Sequence, residues 1–353
     1  ARGIGAKAAC KSRRRYTAKT TTDTDGPGTR RQEDRPPVGN RVAMILTVTL
    51  NTAVDKTYVV EGFDPRGIHR PCVTLTTAGG KGVNVARVCA ILGCEVVATG
   101  FAGGHTGDFI LSELERSGVL PDFVRVEGES RVCVEVVDPD QGVHAKFNEP
   151  GPHVTAMDAV RLESKISGWL ERARLVVLSG GGPPGTPSDF YARLICRIRA
   201  AGVRVLLDTS GELLRRGVAA APYLVKPNAE ELADLMGTPV TSPEEAARGA
   251  RALLQSGVAV AAVSLGEQGA VLAHGTDLLY AEPPSTDVVS TVGSGDCMVA
   301  GFAAALVRGM ETEAMLRLGV AAGTANAAVL GPGLCTRAEI ERLAPQVKIA
   351  SLS

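Results

Sequence analysis

The distribution of apolar residues changes after residue 43. From Met44 onward, short apolar runs alternate with longer stretches of helical spacing, a pattern typical of a mostly parallel sheet flanked by helices. The sequence predicts strands over residues 44–50, 96–101, 175–179, 203–208, 223–226 and 258–265. It predicts helices over residues 83–92, 156–173, 188–201, 229–236, 243–255, 295–308, 311–330 and 337–344.

Two stretches interrupt this α/β rhythm. Residues 55–70 and residues 131–147 alternate like exposed antiparallel strands, and a turn at residues 138–142 divides the second stretch. We therefore expect an α/β fold with a small β-sheet lid over a site at the carboxyl edge of the main sheet. No internal repeat is evident after residue 43.

The first 43 residues differ in composition from the rest. They contain eleven Lys and Arg residues against four Asp and Glu residues, and no Leu, Phe, Met or Trp. Such a segment buries too little apolar surface to offset the entropy of ordering, which predicts a disordered basic extension. A basic targeting arm is one interpretation, but we favour a spurious upstream extension, because Met44 opens the first strand-like run. The expected organisation is a folded domain at 44–345 and a C-terminal tail at 346–353.

Composition excludes several classes of protein. The formal charge is zero and 22% of residues are charged, which argues against a nucleic-acid or anionic-membrane binder. No apolar run is long enough to span a membrane. The eight cysteines include no C-x-x-C pair, so we expect buried thiols and a cytoplasmic location. The five histidines show no zinc-ligand spacing.

The most informative motif is a glycine-rich turn that leads into a predicted helix. Gly293-Ser294-Gly295 is built from small residues, and Asp296 follows in the first helical turn. Free backbone amides at a helix start can bind an anion. Taken alone, Asp296 fits helix capping better than catalysis. A carboxylate beside an anion site is also what proton abstraction from a hydroxyl requires during phosphoryl transfer.

Three further motifs each have a plain structural interpretation. Gly79-Gly-Lys-Gly-Val-Asn84 is a turn before a helix, and because Gly82 follows Lys81 it is not a Walker A loop. Asn228 and Glu231 have the spacing of a capping box. The segment from Ser264 to Gly269 follows a predicted strand and could form a β-turn. A polyol or phosphate ligand is the alternative for the first of these motifs, and a nucleotide is the alternative for the third.

Taken in order, the motifs resemble those of the PfkB (ribokinase-like) carbohydrate kinases. The resemblance is closest to the 1-phosphofructokinase and tagatose-6-phosphate kinase branch, and it covers about residues 44–345. The segments that carry it are Asn51-Thr-Ala-Val-Asp55, Gly79-Gly-Lys-Gly-Val-Asn84, Gly100-Phe-Ala-Gly-Gly104, Asn148-Glu-Pro-Gly-Pro152, Lys226-Pro-Asn-Ala-Glu-Glu231, Ser264-Leu-Gly266 and Thr291-Val-Gly-Ser-Gly-Asp296.

The resemblance implies a ribokinase-like fold and an ATP-dependent kinase that uses Mg²⁺ and phosphorylates a phosphosugar. Asp296 would be the general base, and the amides of Gly293, Ser294 and Gly295 would form the anion hole. Glu231 would orient magnesium through water. The residues implied to bind the sugar phosphate are Asp55, Gly80, Lys81, Asn84 and Arg131. Those implied to line the nucleotide site are Asn228, Ser264, Gly266 and Asn326.

The acceptor is less clearly indicated than the reaction. Ser294 replaces the family's usual Ala and Thr52 replaces its usual Pro, while the implied base and magnesium ligand are retained. We favour fructose 1-phosphate, with tagatose 6-phosphate and fructose 6-phosphate as alternatives. A non-catalytic sugar-phosphate-binding regulator is a further alternative, and a Rossmann dehydrogenase is remote because the glycine spacing is wrong. A homodimer that pairs the two lids is also expected.

Overall fold

The computed structural model describes residues 44–352, so the extension at residues 1–43 lies outside the described part of the chain. Fifteen strands occur within it. They are β1 Met44–Thr49, β2 Ala53–Val59, β3 Val73–Gly79, β4 Val96–Gly103, β5 Leu120–Pro121, β6 Val124–Val126, β7 Arg131–Asp138, β8 Val143–Asn148, β9 Ala173–Ser179, β10 Arg204–Asp208, β11 Leu224–Val225, β12 Val260–Ser264, β13 Ala270–His274, β14 Asp277–Glu282 and β15 Lys348–Ser351.

Ten α-helices alternate with these strands in residues 44–352. They are α1 Lys81–Ile91, α2 Gly104–Arg116, α3 Ala156–Trp169, α4 Phe190–Ala200, α5 Gly211–Ala219, α6 Ala229–Met236, α7 Pro243–Gln255, α8 Ser294–Val307, α9 Thr312–Ala327 and α10 Arg337–Leu343. Short 3₁₀ turns occur at Gly266–Gln268 and Ala344–Gln346.

The main sheet has eleven strands and is parallel through its centre. The order is β15-β14-β13-β12-β11-β10-β9-β1-β4-β5, with β6 paired to β4. All pairs from β12 to β5 are parallel, whereas β13, β14 and β15 extend the sheet antiparallel. Because the parallel strands share one direction, their carboxyl ends meet at one edge, where ligands bind in open α/β sheets.

Two apolar clusters cover the two faces of this sheet. Helices α1, α2, α8, α9 and α10 contribute to the first cluster, and helices α3 to α7 contribute to the second. The central strands are buried on both faces, which explains their continuous apolar sequences. Helices α8 and α9 are apolar nearly all round, with eleven buried residues each, and they pack against each other under the carboxyl edge.

A second sheet of four strands, in the order β3-β2-β7-β8, forms the lid. The predicted small second sheet is present, but residues 60–72 are a loop and the antiparallel partner of β2 is β3. The second predicted excursion is the hairpin of β7 and β8. Pairing of β2 with β7 is parallel and joins segments distant in sequence, so local alternation could not define the sheet.

Several other elements differ from those expected. Residues 348–351 are not a tail, since they form β15 and pair with β14. Helices α2 and α5 and the hairpin of β13 and β14 were not predicted. Helix α5 contains Gly217, a poor helix former, and tertiary packing requires it: a Cβ at this position would lie 2.5 Å from a methyl group of Leu207.

Two features of residues 44–352 are relevant to membranes and disulfides, namely the apolar length of the helices and the pairing of the cysteines. None of the helices between residues 44 and 352 combines the length and apolarity needed to cross a bilayer. No disulfide joins the cysteines in that part of the chain.

Candidate active site

A cleft of about 1010 Å³ separates the lid from the carboxyl edge of the main sheet. Twelve of the fourteen predicted site residues line it, and Glu231 and Asn326 are the two that do not. The twelve are Asp55, Gly80, Lys81, Asn84, Arg131, Asn228, Ser264, Gly266, Gly293, Ser294, Gly295 and Asp296. Residues separated by up to 241 positions in the sequence are thus brought to one wall or the other of a single cleft.

The turn at Gly293 leaves the start of helix α8 open towards this cleft. Gly293 is the N-cap, with a left-handed backbone (φ 82°), and no side chain caps the helix. A Cβ on Gly293 would lie 2.6 Å from Cβ of Pro332, so both backbone conformation and packing require glycine. The Ser294 amide donates to the Thr291 carbonyl at 3.2 Å, but no side chain caps the turn, and amides at such a helix start favour an anion.

Asp296 lies in the first turn of α8 and is 7% exposed. Its Oδ2 accepts a hydrogen bond of 2.8 Å from Nδ2 of Asn84. Burial raises the pKa of Asp296 to about 7, although Lys81 and the Asn84 hydrogen bond act in the opposite direction. A carboxylate with a pKa near neutrality can accept a proton efficiently at physiological pH.

A buried cluster of opposite charges lies beside Asp296. Asp208, at the end of β10, is fully buried, and its carboxylate is 3.1 Å from Nζ of Lys226 and 3.4 Å from Nζ of Lys81. The Ser179 hydroxyl also donates to Asp208 at 3.2 Å. A Cβ on Gly295 would lie 3.7 Å from Nζ of Lys226. The Lys226 ammonium group is therefore held next to the glycine turn that begins α8.

Asp55 occupies the lid side of the cleft. Burial raises its pKa to about 6, while Arg131 and Arg87 lower it. The carboxylate fits against the backbone of β3 because residue 79 is glycine: a Cβ on Gly79 would lie 2.0 Å from Oδ2 of Asp55. Arg131 begins β7, the lid strand that pairs with β2. An acid and a guanidinium group therefore face the cleft from adjacent strands.

The Asn228 and Glu231 side chains form the capping box of α6. The Asn228 side chain accepts from the Glu231 amide at 2.7 Å, and Oε2 of Glu231 accepts from the Asn228 amide at 2.9 Å. Oε1 of Glu231 points the other way and lies 3.8 Å from Nζ of Lys81. Among the described residues, no three His, Cys, Asp or Glu side chains converge as a metal site. Oε1 takes no part in the capping box, and a single carboxylate oxygen suits a Mg²⁺ ion that keeps its waters.

Residues 48–339 match the family described as pfkB family carbohydrate kinase. The chain belongs to the PfkB family of carbohydrate kinases. This confirms the resemblance carried by the motifs.

Curated PfkB relatives align over nearly their full lengths. A 1-phosphofructokinase of Rhodobacter capsulatus is 37% identical over 309 residues, which cover 87% of this chain and 98% of the relative. A tagatose-6-phosphate kinase of Staphylococcus epidermidis is 31% identical over 309 residues, covering 87% and 99%. Among solved structures, phosphofructokinase-2 of Escherichia coli in complex with substrates and products has a TM-score of 0.81 and 31% identity, covering 86% and 99%. The predicted ribokinase-like fold is confirmed.

Asn326 does not line the nucleotide side of the cleft, contrary to its predicted position. It is fully buried in α9. Its Nδ2 donates to the Val292 carbonyl at 2.8 Å, and its Oδ1 accepts from the Gly333 amide at 2.8 Å. The side chain is thus used within the protein, where it joins the turn before α8 to the loop after α9.

Sequence reasoning missed Asp208 and Lys226 as site residues. Lys226 was visible as the first residue of a PfkB-like motif, and Asp208 as an acid that ends an apolar strand. A buried lysine needs a buried acid. This rule could have predicted that Lys226 pairs with an acid at the end of a neighbouring strand. Their strands are 16 residues apart but adjacent in the sheet, and only that adjacency identifies the pair.

Proposed function

We propose that this PfkB-family enzyme transfers the γ-phosphoryl group of ATP to a hydroxyl of a phosphosugar. The favoured acceptor is fructose 1-phosphate, which would give fructose 1,6-bisphosphate. One observation carries the proposal: the buried Asp296 carboxylate, with a pKa near 7, lies in the same helical turn as uncapped amides that face the cleft. Four of the aligned relatives, at 32–37% identity, are named 1-phosphofructokinase, which supports this acceptor. Another, at 31%, is named tagatose-6-phosphate kinase.

In this reaction Asp296 accepts the proton of the sugar hydroxyl as the hydroxyl oxygen attacks the γ-phosphorus. The new phosphorus–oxygen bond forms while the bond to the β,γ-bridging oxygen breaks, and ADP leaves with that electron pair. The amides of Gly293, Ser294 and Gly295 would bind the oxygens of the transferring group. Positioning and charge stabilisation account for most of phosphoryl transfer, so no covalent intermediate is needed.

The lid side of the cleft suits the acceptor. Asp55 would accept hydrogen bonds from sugar hydroxyls, together with the polar groups at Gly80 and Asn84. Lys81 and Arg131 would bind the phosphate already on the sugar, because a guanidinium fork matches phosphate oxygens. The lid would exclude water once the acceptor is bound, which limits hydrolysis of ATP.

The opposite side suits the nucleotide. Asn228, Ser264 and Gly266 line this side. A Cβ on Gly266 would meet no atom within 4 Å, so the backbone at this residue is open to close approach by a ligand. Glu231 would hold Mg²⁺ through water by Oε1, the oxygen that takes no part in the capping box. When bound, Mg²⁺ supplies positive charge that neutralises the phosphate oxygens.

The test is kcat/KM with ATP and Mg²⁺ for three acceptors: fructose 1-phosphate, tagatose 6-phosphate and fructose 6-phosphate. We expect the highest value for fructose 1-phosphate. A higher value for either of the other two would reassign the acceptor within the same reaction. Binding of phosphosugars without turnover of any of them would favour the non-catalytic regulator instead.

We further propose a homodimer that pairs the two lids. Strand β8 is an edge of the lid sheet and is mostly exposed, and Phe147 on it is 62% exposed. Exposed edge strands with apolar side chains are natural pairing surfaces. Sedimentation velocity should give the mass of a dimer at micromolar concentration, and a monomer at that concentration would contradict the proposal.

A further inference from the structure

Arg87 is a buried cation that the proposed mechanism leaves without a role. It lies on α1 and is 5% exposed. No Asp or Glu oxygen of residues 44–352 lies within 4.0 Å of its guanidinium nitrogens as an ion pair. Burial of a charge without a close ion pair is costly. Asp55 and Glu113 attract Arg87 from beyond ion-pair distance, and the hydrogen bonds of Arg87 hold its guanidinium group in place.

The guanidinium group is held by two backbone carbonyls. Nη2 donates to the Ala78 carbonyl at 2.6 Å, and Nη1 donates to the Pro332 carbonyl at 3.1 Å. The loop carrying Pro332 comes this close because the next residue is glycine: a Cβ on Gly333 would lie 3.2 Å from Nη1. These two contacts fix the plane of the fork.

The fixed fork presents another N–H to the side chain of Asn84. Nη1 of Arg87 lies 3.3 Å from Oδ1 of Asn84, one turn earlier on the same helix. The amide oxygen of Asn84 is therefore directed to the cation. Its NH₂ group is left to face Asp296, and Nδ2 donates to Oδ2 at 2.8 Å.

The opposite orientation of the amide would be unfavourable at both ends. An amide has an acceptor on one side and donors on the other. If the Asn84 amide rotated by 180°, its oxygen would face the Asp296 carboxylate and its NH₂ would face the Arg87 cation. A neutral side chain at position 87 would remove the repulsion between the Arg87 cation and the rotated NH₂ group. It would also remove the attraction between the cation and Oδ1 that holds the amide in its present orientation.

We propose that Arg87 is a positioning residue that orients the Asn84 amide so that its NH₂ group donates to Asp296. This inference rests on the proposed function, because the role of Asp296 as general base is itself proposed. Arg87 acts through Asn84 and is not placed in contact with either substrate.

Other charged groups also face Asp296. They are Lys81 on α1, Asp208 at the end of β10 and Lys226 after β11. All three remain when Arg87 is replaced. The Asn84 hydrogen bond opposes the effect of burial on the pKa of Asp296, so its loss should raise this pKa further. At neutral pH less of the carboxylate would then be available as a base.

The experiment compares Arg87→Met and Arg87→Lys with the wild type and with Arg204→Met as a matched control. Arg204 is partly buried and also donates to a backbone carbonyl, that of Leu306 at 2.9 Å. It begins β10, at the edge of the sheet opposite the cleft. We expect Arg87→Met to lower kcat/KM by about a hundredfold and Arg204→Met to leave it unchanged.

The pH profile and a double-mutant cycle separate positioning from general stability. The acidic limb of kcat/KM should move up by about one pH unit in Arg87→Met, the size expected for a hydrogen bond to a charged group. Because Arg87 also lowers the pKa of Asp55, the shift is assigned to Asp296 by titration of that residue itself. In an Asn84→Ala background, Arg87→Met should lower kcat/KM by roughly tenfold or less instead of about a hundredfold, and the remaining loss is its effect on Asp55. An equal loss in both backgrounds, with the wild-type pH profile, would overturn the proposal.

A readout that needs no turnover is the titration of Asp296 by ¹³C NMR with carboxyl-labelled aspartate. The signal of Asp296 is the one absent from Asp296→Asn. If this signal titrates at the wild-type pH in folded Arg87→Met, the proposal fails even where kinase activity is present. If the titration moves but no phosphosugar is phosphorylated, the proposed function fails and the positioning role stands.

Arg87→Lys keeps the test decisive if Arg87→Met does not fold. Lysine retains the charge, but a single nitrogen cannot serve the Ala78 and Pro332 carbonyls and Asn84 with the geometry of the fork. We expect a smaller rise in the pH of the Asp296 titration than in Arg87→Met. A titration identical to the wild type in Arg87→Lys would contradict orientation by the fork.

Discussion

Helices α7 and α8 begin with an acid at the same position and use it in opposite ways. Glu245 is the third residue of α7 and Asp296 is the third residue of α8. In α7 the Ser242 side chain accepts from the Glu245 amide at 3.2 Å, and Pro243 occupies the first position. In α8 the N-cap is Gly293, and no side chain satisfies the amides.

The two carboxylates differ accordingly. The backbone amide and hydroxyl of Thr241 donate to Glu245 at 2.7 and 2.8 Å, and these bonds lower its pKa. Asp296 accepts from Asn84 on another helix, and burial raises its pKa to about 7. A helix start whose polar groups are satisfied locally is only structural. One whose amides no side chain caps, and whose acid is bonded to a distant helix, can bind and react with a ligand.

The largest difference between the two acids should appear in turnover. We expect Asp296→Asn to lower kcat by about 10³-fold, because the amide cannot accept the hydroxyl proton, while the KM for ATP changes little. Glu245→Gln is the matched control and should leave kcat unchanged. Steady-state kinetics with saturating ATP and phosphosugar measures both. Near-wild-type turnover of Asp296→Asn would remove the general-base assignment.

Glycine at the open helix start provides the second comparison. Gly293 and Gly237 both have a left-handed backbone, with φ of 82° and 69°. Gly237→Ala meets no atom within 4 Å, so it should cost about 1 kcal/mol of backbone strain and leave kcat unchanged. Gly293→Ala also contacts Pro332 and should displace the amides, which lowers kcat about tenfold or more. Equal kcat values for the two variants would argue against an anion hole at this turn.

The smallest effects are on the free energy of unfolding. The contributions of Asp296 and Glu245 to it should change with pH in opposite directions. The raised pKa of Asp296 stabilises the fold below its unfolded value of 3.8, and this contribution is lost as pH rises through about 7. Asp296→Asn should therefore become more stable than the wild type towards pH 8. The lowered pKa of Glu245 contributes stability above its unfolded value of 4.5, so Glu245→Gln should be less stable at pH 7 and match the wild type as pH falls.

Urea unfolding of both variants and the wild type at pH 4, 6 and 8 measures this contrast. The advantage of Asp296→Asn should grow from pH 4 to pH 8 and amount to roughly 1 kcal/mol or more. A constant difference across this range would mean that Asp296 does not hold its proton in the folded state at low pH.

Much of the site could be predicted because its motifs are short and contiguous. The turn from Gly293 to Asp296 and the turn from Gly79 to Asn84 each place small residues directly before a helix, and local backbone rules identify such starts. The capping box of Asn228 and Glu231 was predicted from spacing alone, and its hydrogen bonds are present. These features depend on residues within about one helical turn of each other.

Other features depended on partners far away in sequence. Asn326 was expected at the nucleotide, yet its amide bonds to Val292 and Gly333 within the protein. The lid required β2 to pair with β7, although about 70 residues separate them. Strand β15 lies in the stretch expected to be a tail. Its four residues have no local pattern that indicates pairing with β14. Pairing and burial of this kind have no local signature.

By itself, the sequence determined the alternation of buried strands and helices, the family motifs and the identity of the acid that follows the glycine turn. These follow from hydrophobic periodicity and from backbone conformations that only certain residues adopt. The tertiary structure alone decided that Asp296 is buried, that Asn84 donates to it and that Arg87 lies behind Asn84. The pKa of a carboxyl group depends on solvent exclusion and on charges within a few ångströms, and these are set only when distant segments pack together.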